Sequence, residues 1–137
     1  MAQNNGRRRV VVTGLGTINP LGNDVASTWQ ALMAGRSGIT RITAFDTSGY
    51  DCQIAGEVKG FDPTEFIERK EARRMDRYTQ FAVVAAGQAL RDSGLQITPE
   101  IADDVGVVVG SGIGGVSWIE DQLTVLTTRG PGRVSPF

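Results

Sequence analysis

Val105-Gly106-Val107-Val108-Val109-Gly110-Ser111-Gly112-Ile113-Gly114-Gly115 constrains this chain more than any other stretch. It opens as an apolar, β-branched run of the kind that is buried on both faces in a parallel sheet. Glycines follow, and apolar residues then return at helical spacing, with Val116, Ile119, Leu123 and Leu126 on one side. Strand, glycine turn and helix in that order predict an α/β protein, whose ligands usually sit at the carboxyl ends of its strands.

Gly110, Gly112 and Gly115 satisfy G-x-G-x-x-G, whose glycines admit a tight turn and a close pyrophosphate. A dinucleotide site also needs a second strand ending in Asp or Glu about 20 residues later. Arg129-Gly130-Pro131-Gly132-Arg133 supplies neither. The earlier Gly14-Leu15-Gly16 follows a strand-like run too, but Asn19 stands where a third glycine belongs and Gly35-Arg36 where the acid should be. The glycines are therefore read as points of close packing or positive φ. A dinucleotide-binding module survives only as an alternative that predicts thermal stabilisation by the cofactor.

The 137 residues suffice for one core, and 40% hydrophobic with 21% charged content is that of a soluble globular chain. A net charge of -1 gives no reason to invoke nucleic acid or an anionic membrane. No apolar run reaches membrane-spanning length, and a cytoplasmic location is the default expectation. Histidine is absent and Cys52 is the one cysteine. The chain alone can build neither a Cys-His or Ser-His-Asp centre nor the usual Cys/His metal site. Cys52 lies beside Asp51, which opposes thiolate formation, so it is not read as a nucleophile. No catalytic residue, metal ligand or cofactor is assigned.

In chain order, residues 1–7 are expected to be disordered and 8–13 to form a buried strand. Asn23 or Asp24 should cap a helix to Ala34, with Val25, Trp29, Leu32 and Met33 as its core stripe and Gly35 as its stop. Gly35 to Tyr50 reads as a surface loop, and the alternation of Ile54, Gly56 and Val58 as a short strand. Asp62-Pro63-Thr64-Glu65 starts a helix. If that helix continues, Lys70, Arg73, Arg74 and Arg77 share a face, which would suit an acidic protein partner. Asp76 should cap the longest helix, ending before Gly94. Its small, apolar middle predicts burial between layers, with another element close to Gly87.

Two buried-type strands need more sheet than this sequence supplies. The expectation is an incomplete unit, part of a larger protein or paired with another chain, that exposes apolar surface when alone.

Several segments in unbroken order resemble one family. They are Arg8-Arg9-Val10-Val11-Val12-Thr13-Gly14-Leu15-Gly16, Asn19-Pro20-Leu21-Gly22, Gly35-Arg36-Ser37-Gly38-Ile39 and Phe45-Asp46-Thr47-Ser48. Arg69-Lys70-Glu71-Ala72-Arg73-Arg74-Met75-Asp76, Asp92-Ser93-Gly94-Leu95, the glycine stretch from Gly110 and Ser135-Pro136-Phe137 continue the series. Together they resemble the start of β-ketoacyl-[acyl-carrier-protein] synthases, most of all the elongating type II enzymes of bacterial fatty-acid synthesis. The resemblance implies residues 1–137 as the N-terminal portion of a thiolase-like domain, layered α-β-α-β-α, in an enzyme that is usually a homodimer.

It also implies a chemistry. An acyl group passes from the phosphopantetheine of a carrier protein to a cysteine, and malonyl-carrier protein loses carbon dioxide and attacks the acyl-cysteine. In that family the cysteine sits at a later helix N-terminus and two histidines lie further on. This sequence covers about the first third of such an enzyme and has none of the three, so the chain alone is expected to be inactive. Ile113 matches a position lining the acyl-chain pocket, where bulk limits chain length. Lys70, Arg73 and Arg74 match a basic patch that docks the acidic acyl carrier protein, and Arg133 falls in a second basic segment used similarly, although Gly132 stands where another basic residue is common. The alternative is a non-catalytic subunit that binds carrier protein and does no chemistry.

Overall fold

The computed structural model describes residues 8–136; the expectation for residues 1–7 lies outside them. Four helices dominate: α1 (Val25–Met33), α2 (Arg69–Ala72), α3 (Arg77–Ser93) and α4 (Val116–Arg129). Two three-residue strands, β1 (Ile39–Arg41) and β2 (Ile54–Gly56), pair antiparallel with Thr40 opposite Ala55. Single 3-10 turns occupy Pro63–Glu65, Ala102–Asp104 and Pro131–Arg133.

The helix ends follow their capping chemistry. Asp24 accepts a 2.7 Å hydrogen bond from the Ser27 N–H, and Gly35 closes α1 at φ 63°. Asp76 accepts from the Tyr78 N–H at 3.2 Å, and Gly94 ends α3 in the left-handed region. β2 lies where the alternation put it, whereas β1 falls in a segment read as loop. Its Ile39-Thr40-Arg41 is too short to show a period, and pairing with β2 creates it.

The Asp62 start holds for one turn only. The Asp62 carboxylate accepts from the Thr64 N–H at 2.8 Å and hydroxyl at 2.7 Å, both of which hold its pKa below the usual aspartate value. The turn then ends at Phe66, and the chain re-enters helix at Arg69.

The loop from Gly14 to Asn23 is locked onto α3 by polar side chains. Asp92 Oδ2 accepts from the Leu15 N–H at 2.8 Å. Gln88 accepts from the Thr17 N–H at 3.0 Å and donates to the Asn23 carbonyl at 2.7 Å. Asn19 donates to the Thr17 and Thr28 hydroxyls and accepts from the Leu21 N–H, which pins the Asn19–Gly22 turn to α1. Gly14 and Gly16 permit this approach. A Cβ at either would collide with α3 backbone, at Ala89 and Ser93 or at Ala85 and Ala89. Close packing on α3 therefore falls at these loop glycines. At Gly87, where it was expected, an added Cβ would meet only the Arg91 guanidinium at 3.5 Å.

Three expectations of burial are corrected. Residues 8–13 and 105–109 join no ladder, the sheet being β1 with β2, and Val10 is 93% and Val108 98% exposed. The two runs still face α3 together. Thr13, Gly14, Val105, Val107 and Val108 line one cleft with Ala86, Ala89 and Leu90. α3 is not enclosed all round, since Val84 is its one buried residue. Trp29 is 62% exposed, and of α1 only Ala31 is buried. The reason is common to all three. A buried run or stripe needs cover, and the described residues supply it on one side of α3 and hardly at all over α1. The apolar surface expected of the chain by itself is thus present, and extends along Val116, Ile119, Leu123 and Leu126 of α4.

Candidate functional site

The basic segment and the glycine stretch meet at the N-terminal ends of α3 and α4. Arg74, Met75, Asp76, Tyr78 and Thr79 line a cleft of about 270 Å³ with Gly115, Trp118 and Ile119. Asp76 is the joint. Its carboxylate caps α3 and lies against Gly115, where a Cβ would overlap it. The third glycine of the G-x-G-x-x-G pattern is therefore required by a carboxylate of the same chain. A Cβ at Gly110 or Gly112 would meet nothing within 4 Å. Gly114 takes φ 82°, and its N–H donates to Ser111 Oγ at 2.9 Å, which closes the turn.

Ile113 stands on this turn two residues before Gly115 and is 81% exposed. It is not core filling within the described residues, and it lies outside the Arg74–Trp118 cleft.

Lys70, Arg73 and Arg74 are exposed, as the docking role implied by the resemblance requires. They occupy α2 and the turn that follows it. Glu71 and Arg74 approach to 3.7 Å, and Gln80 of α3 donates to the Ala72 and Met75 carbonyls at 2.9 and 3.2 Å, bracing that turn. The single helical face expected to carry four cations does not form. α2 ends at Ala72, and Arg77 begins α3. The Arg77 guanidinium lies over two rings, 5.2 Å from the Phe61 centroid and 4.9 Å from that of Phe81. Met75 and Asp76, between the two helices, break the run: Asp76 in extended backbone caps the new helix.

Arg133 is exposed in the Pro131–Arg133 turn, which packs on α4. The Ser135 N–H donates to Gln122 Oε1 at 2.7 Å, holding the segment after Arg133 to the same helix. Lys70, Arg73 and Arg74 thus belong to one element pair and Arg133 to another. Cys52 is exposed, its Sγ 3.6 Å from the Ile54 carbonyl. Among the described residues no three ligating side chains converge on a metal position, and no helix is long and apolar enough to cross a membrane.

Sequence reasoning missed the Asp76–Gly115 contact and the Gln88–Asp92 clamp. The clamp had a visible signal: Gln88 and Asp92 are polar and four apart in the C-terminal half of a helix otherwise rich in small apolar residues.

Comparison with known proteins bears on these features. Residues 7–137 match the family described as "Beta-ketoacyl synthase, N-terminal domain". The chain is 54% identical over 131 residues to 3-oxoacyl-[acyl-carrier-protein] synthase 2 of Synechocystis sp., covering 96% of this chain and 32% of the relative. It is 52% identical over 131 residues to the protein of that name from Coxiella burnetii, with the same two coverages. The chain spans about a third of the length of the curated relatives it matches. Among solved structures, the ishigamide ketosynthase/chain length factor superposes with TM-score 0.75 at 37% identity, over 96% of this chain and 33% of that one. A type II polyketide ketosynthase, solved in complex with its acyl-carrier protein, superposes at 0.70 with 28% identity, over 95% and 33%. The α/β, thiolase-like architecture is therefore that of the matching third of known ketosynthases. The chain belongs to the β-ketoacyl synthase family, whose N-terminal domain it matches from residue 7 to residue 137.

Proposed function

We propose that this chain is the N-terminal part of a 3-oxoacyl-[acyl-carrier-protein] synthase that elongates acyl chains, and that its own share of the work is docking and shaping. The observation that carries the reading is the 54% identity, across 96% of the chain, to a 3-oxoacyl-[acyl-carrier-protein] synthase 2. In the proposed reaction an acyl group is held as a thioester on an enzyme cysteine. Malonyl-carrier protein loses carbon dioxide, and the resulting carbanion forms a carbon–carbon bond to the acyl carbonyl. The cysteine leaves as thiolate, and the product is a 3-oxoacyl thioester on the carrier protein, two carbons longer. No bond-making step is assigned to a residue of this chain, and the complete enzyme is proposed as a homodimer.

Lys70, Arg73, Arg74 and Arg133 are assigned to docking the acyl carrier protein. Their exposure supports this, and the carrier-protein complex of one structural relative supports the class of partner. Such charges act mainly on orientation and association rate, weakening as salt screens them. Ile113 is assigned to the wall of the acyl-chain pocket. Its 81% exposure leaves it free to contact a ligand or the rest of the enzyme. In the polypeptide that contains this chain, incubation with acyl- and malonyl-carrier protein should release one carbon dioxide per 3-oxoacyl product. Carrier-protein binding without either product would support the non-catalytic subunit instead.

A further inference from the structure

We infer that Arg77 is an additional contact for the acidic carrier protein, held ready by Phe61 and Phe81. The inference rests on the docking reading above and adds a residue to it.

Three observations point there. Arg77 is the first residue of α3, where the helix presents its positive end and a cation is disfavoured. The Asp76 carboxylate caps that end, and no further acidic side chain follows in the first turn. The charge is instead accommodated by two aromatic faces, at 5.2 and 4.9 Å, within the range of cation–π attraction. Phe61 is 8% exposed and stacks edge-on against Phe81 at 5.0 Å, so the support is fixed before any partner arrives.

The third observation concerns what Arg77 leaves unused. The two rings stand at 71° to each other, so the planar guanidinium with its five N–H groups can lie flat on one of them only. Among the described residues the Arg77 side chain forms no ion pair and no hydrogen bond, although the residue is exposed. The acids around it are engaged elsewhere or beyond ion-pair distance. Glu57, across one neighbouring cleft, accepts from the Thr43 and Ala44 N–H groups. Asp76 caps α3 and lies against Gly115, and Asp121, on the other cleft, is beyond ion-pair distance. A guanidinium held against two rings, with no carboxylate partner among the described residues, is suited to an acidic group from outside. Arg77 follows Lys70, Arg73 and Arg74 in sequence, at the start of the next helix.

The test is a titration of the polypeptide containing this chain with the phosphopantetheine form of the acyl carrier protein, at low and at high salt. Arg77→Met keeps the stem and removes the charge; Arg77→Lys keeps the charge. Arg77→Met should weaken binding about two- to fivefold at low salt. The gap should close in about 1 M salt, where the screening length is about 3 Å. Arg77→Lys should recover only part of the loss, since it keeps the charge but neither the planar fork nor the ring contacts. A lowered melting temperature with parental affinity and parental salt dependence in Arg77→Met would overturn the inference, leaving Arg77 a clamp between the Phe61 loop and α3. Lys70→Glu with Arg73→Glu, measured alongside, separates the two failures. If that pair weakens binding and Arg77→Met does not, only the present inference falls. If neither does, the docking reading falls with it.

Discussion

A methyl group added at Gly16 would run into the α3 backbone at Ala85 and Ala89, while one added at Gly87 would touch only the end of Arg91. The two glycines therefore respond oppositely to alanine. Gly16→Ala should destabilise by about 1–3 kcal/mol through overpacking. Gly87→Ala should stabilise by up to about 1 kcal/mol, the helix-propensity difference. Denaturant melts of the two variants check both signs. Ile113 belongs to the same scale. If it walls the acyl pocket, Ile113→Phe should shorten the longest acyl chain accepted while leaving short-chain condensation intact, read by mass spectrometry of the products. An unchanged length distribution would remove that role. Single residues were also where sequence reasoning was most uneven. Asp76, Gly35 and Gly94 announced their capping roles because capping is local, and the first cap was narrowed to Asn23 or Asp24, of which Asp24 serves. Close packing at Gly115 was readable, but its partner was not, because it is a carboxylate 39 positions away, at Asp76.

At the level of elements, β1 and β2 are three residues each and owe their arrangement to their surroundings. Gly38 and Gly56 let Pro20 sit against them, and Glu57 holds the chain beyond β1. The Glu57 carboxylate accepts from the Thr43 N–H at 3.0 Å and hydroxyl at 2.8 Å, and from the Ala44 N–H at 3.0 Å. The Thr43 bonds first, then Ala44 and the charge of Lys59, hold its pKa below the ordinary glutamate value of 4.5. A carboxyl depressed on folding adds stability above its unfolded pKa, and that stability disappears as pH falls through the folded value. Thermal melts should therefore show the parent losing stability below about pH 4.5 partly through this group. Glu57→Gln should be less stable at neutral pH, with the gap narrowing on acidification. A gap that stays constant with pH would contradict the role. The basic segment shows the opposite limit of legibility. Its charges and the Asp76 cap were visible in the sequence, but the early end of α2 at Ala72 and the separation of Arg77 from the other cations were not. One expected face of four cations became a triplet on α2 and its turn, with Arg77 held on the aromatic pair.

For the molecule as a whole, hydrophobic patterning predicted buried strands at residues 8–13 and 105–109. The chemistry of those runs was read correctly and their surroundings were not. A β-branched run can be inferred from composition, whereas its ladder partners depend on chain that the run does not specify. The same physics explains the exposed stripes of α1 and α4. They are apolar at helical spacing, yet the described residues lay little over them. Family membership was legible because it rests on ordered motifs rather than on burial. The exposure of the basic triplet was legible because surface charge needs no partner to stay where it is.

The measurement that bears most directly on the proposed function is the carrier-protein KM of the polypeptide containing this chain after Lys70→Glu and Arg73→Glu, at low ionic strength. The two reversals replace attraction by repulsion at exposed positions. KM should rise about tenfold or more, with the difference shrinking as salt is added and kcat little changed. A KM unchanged at low salt would contradict the assignment of this surface to the acyl carrier protein.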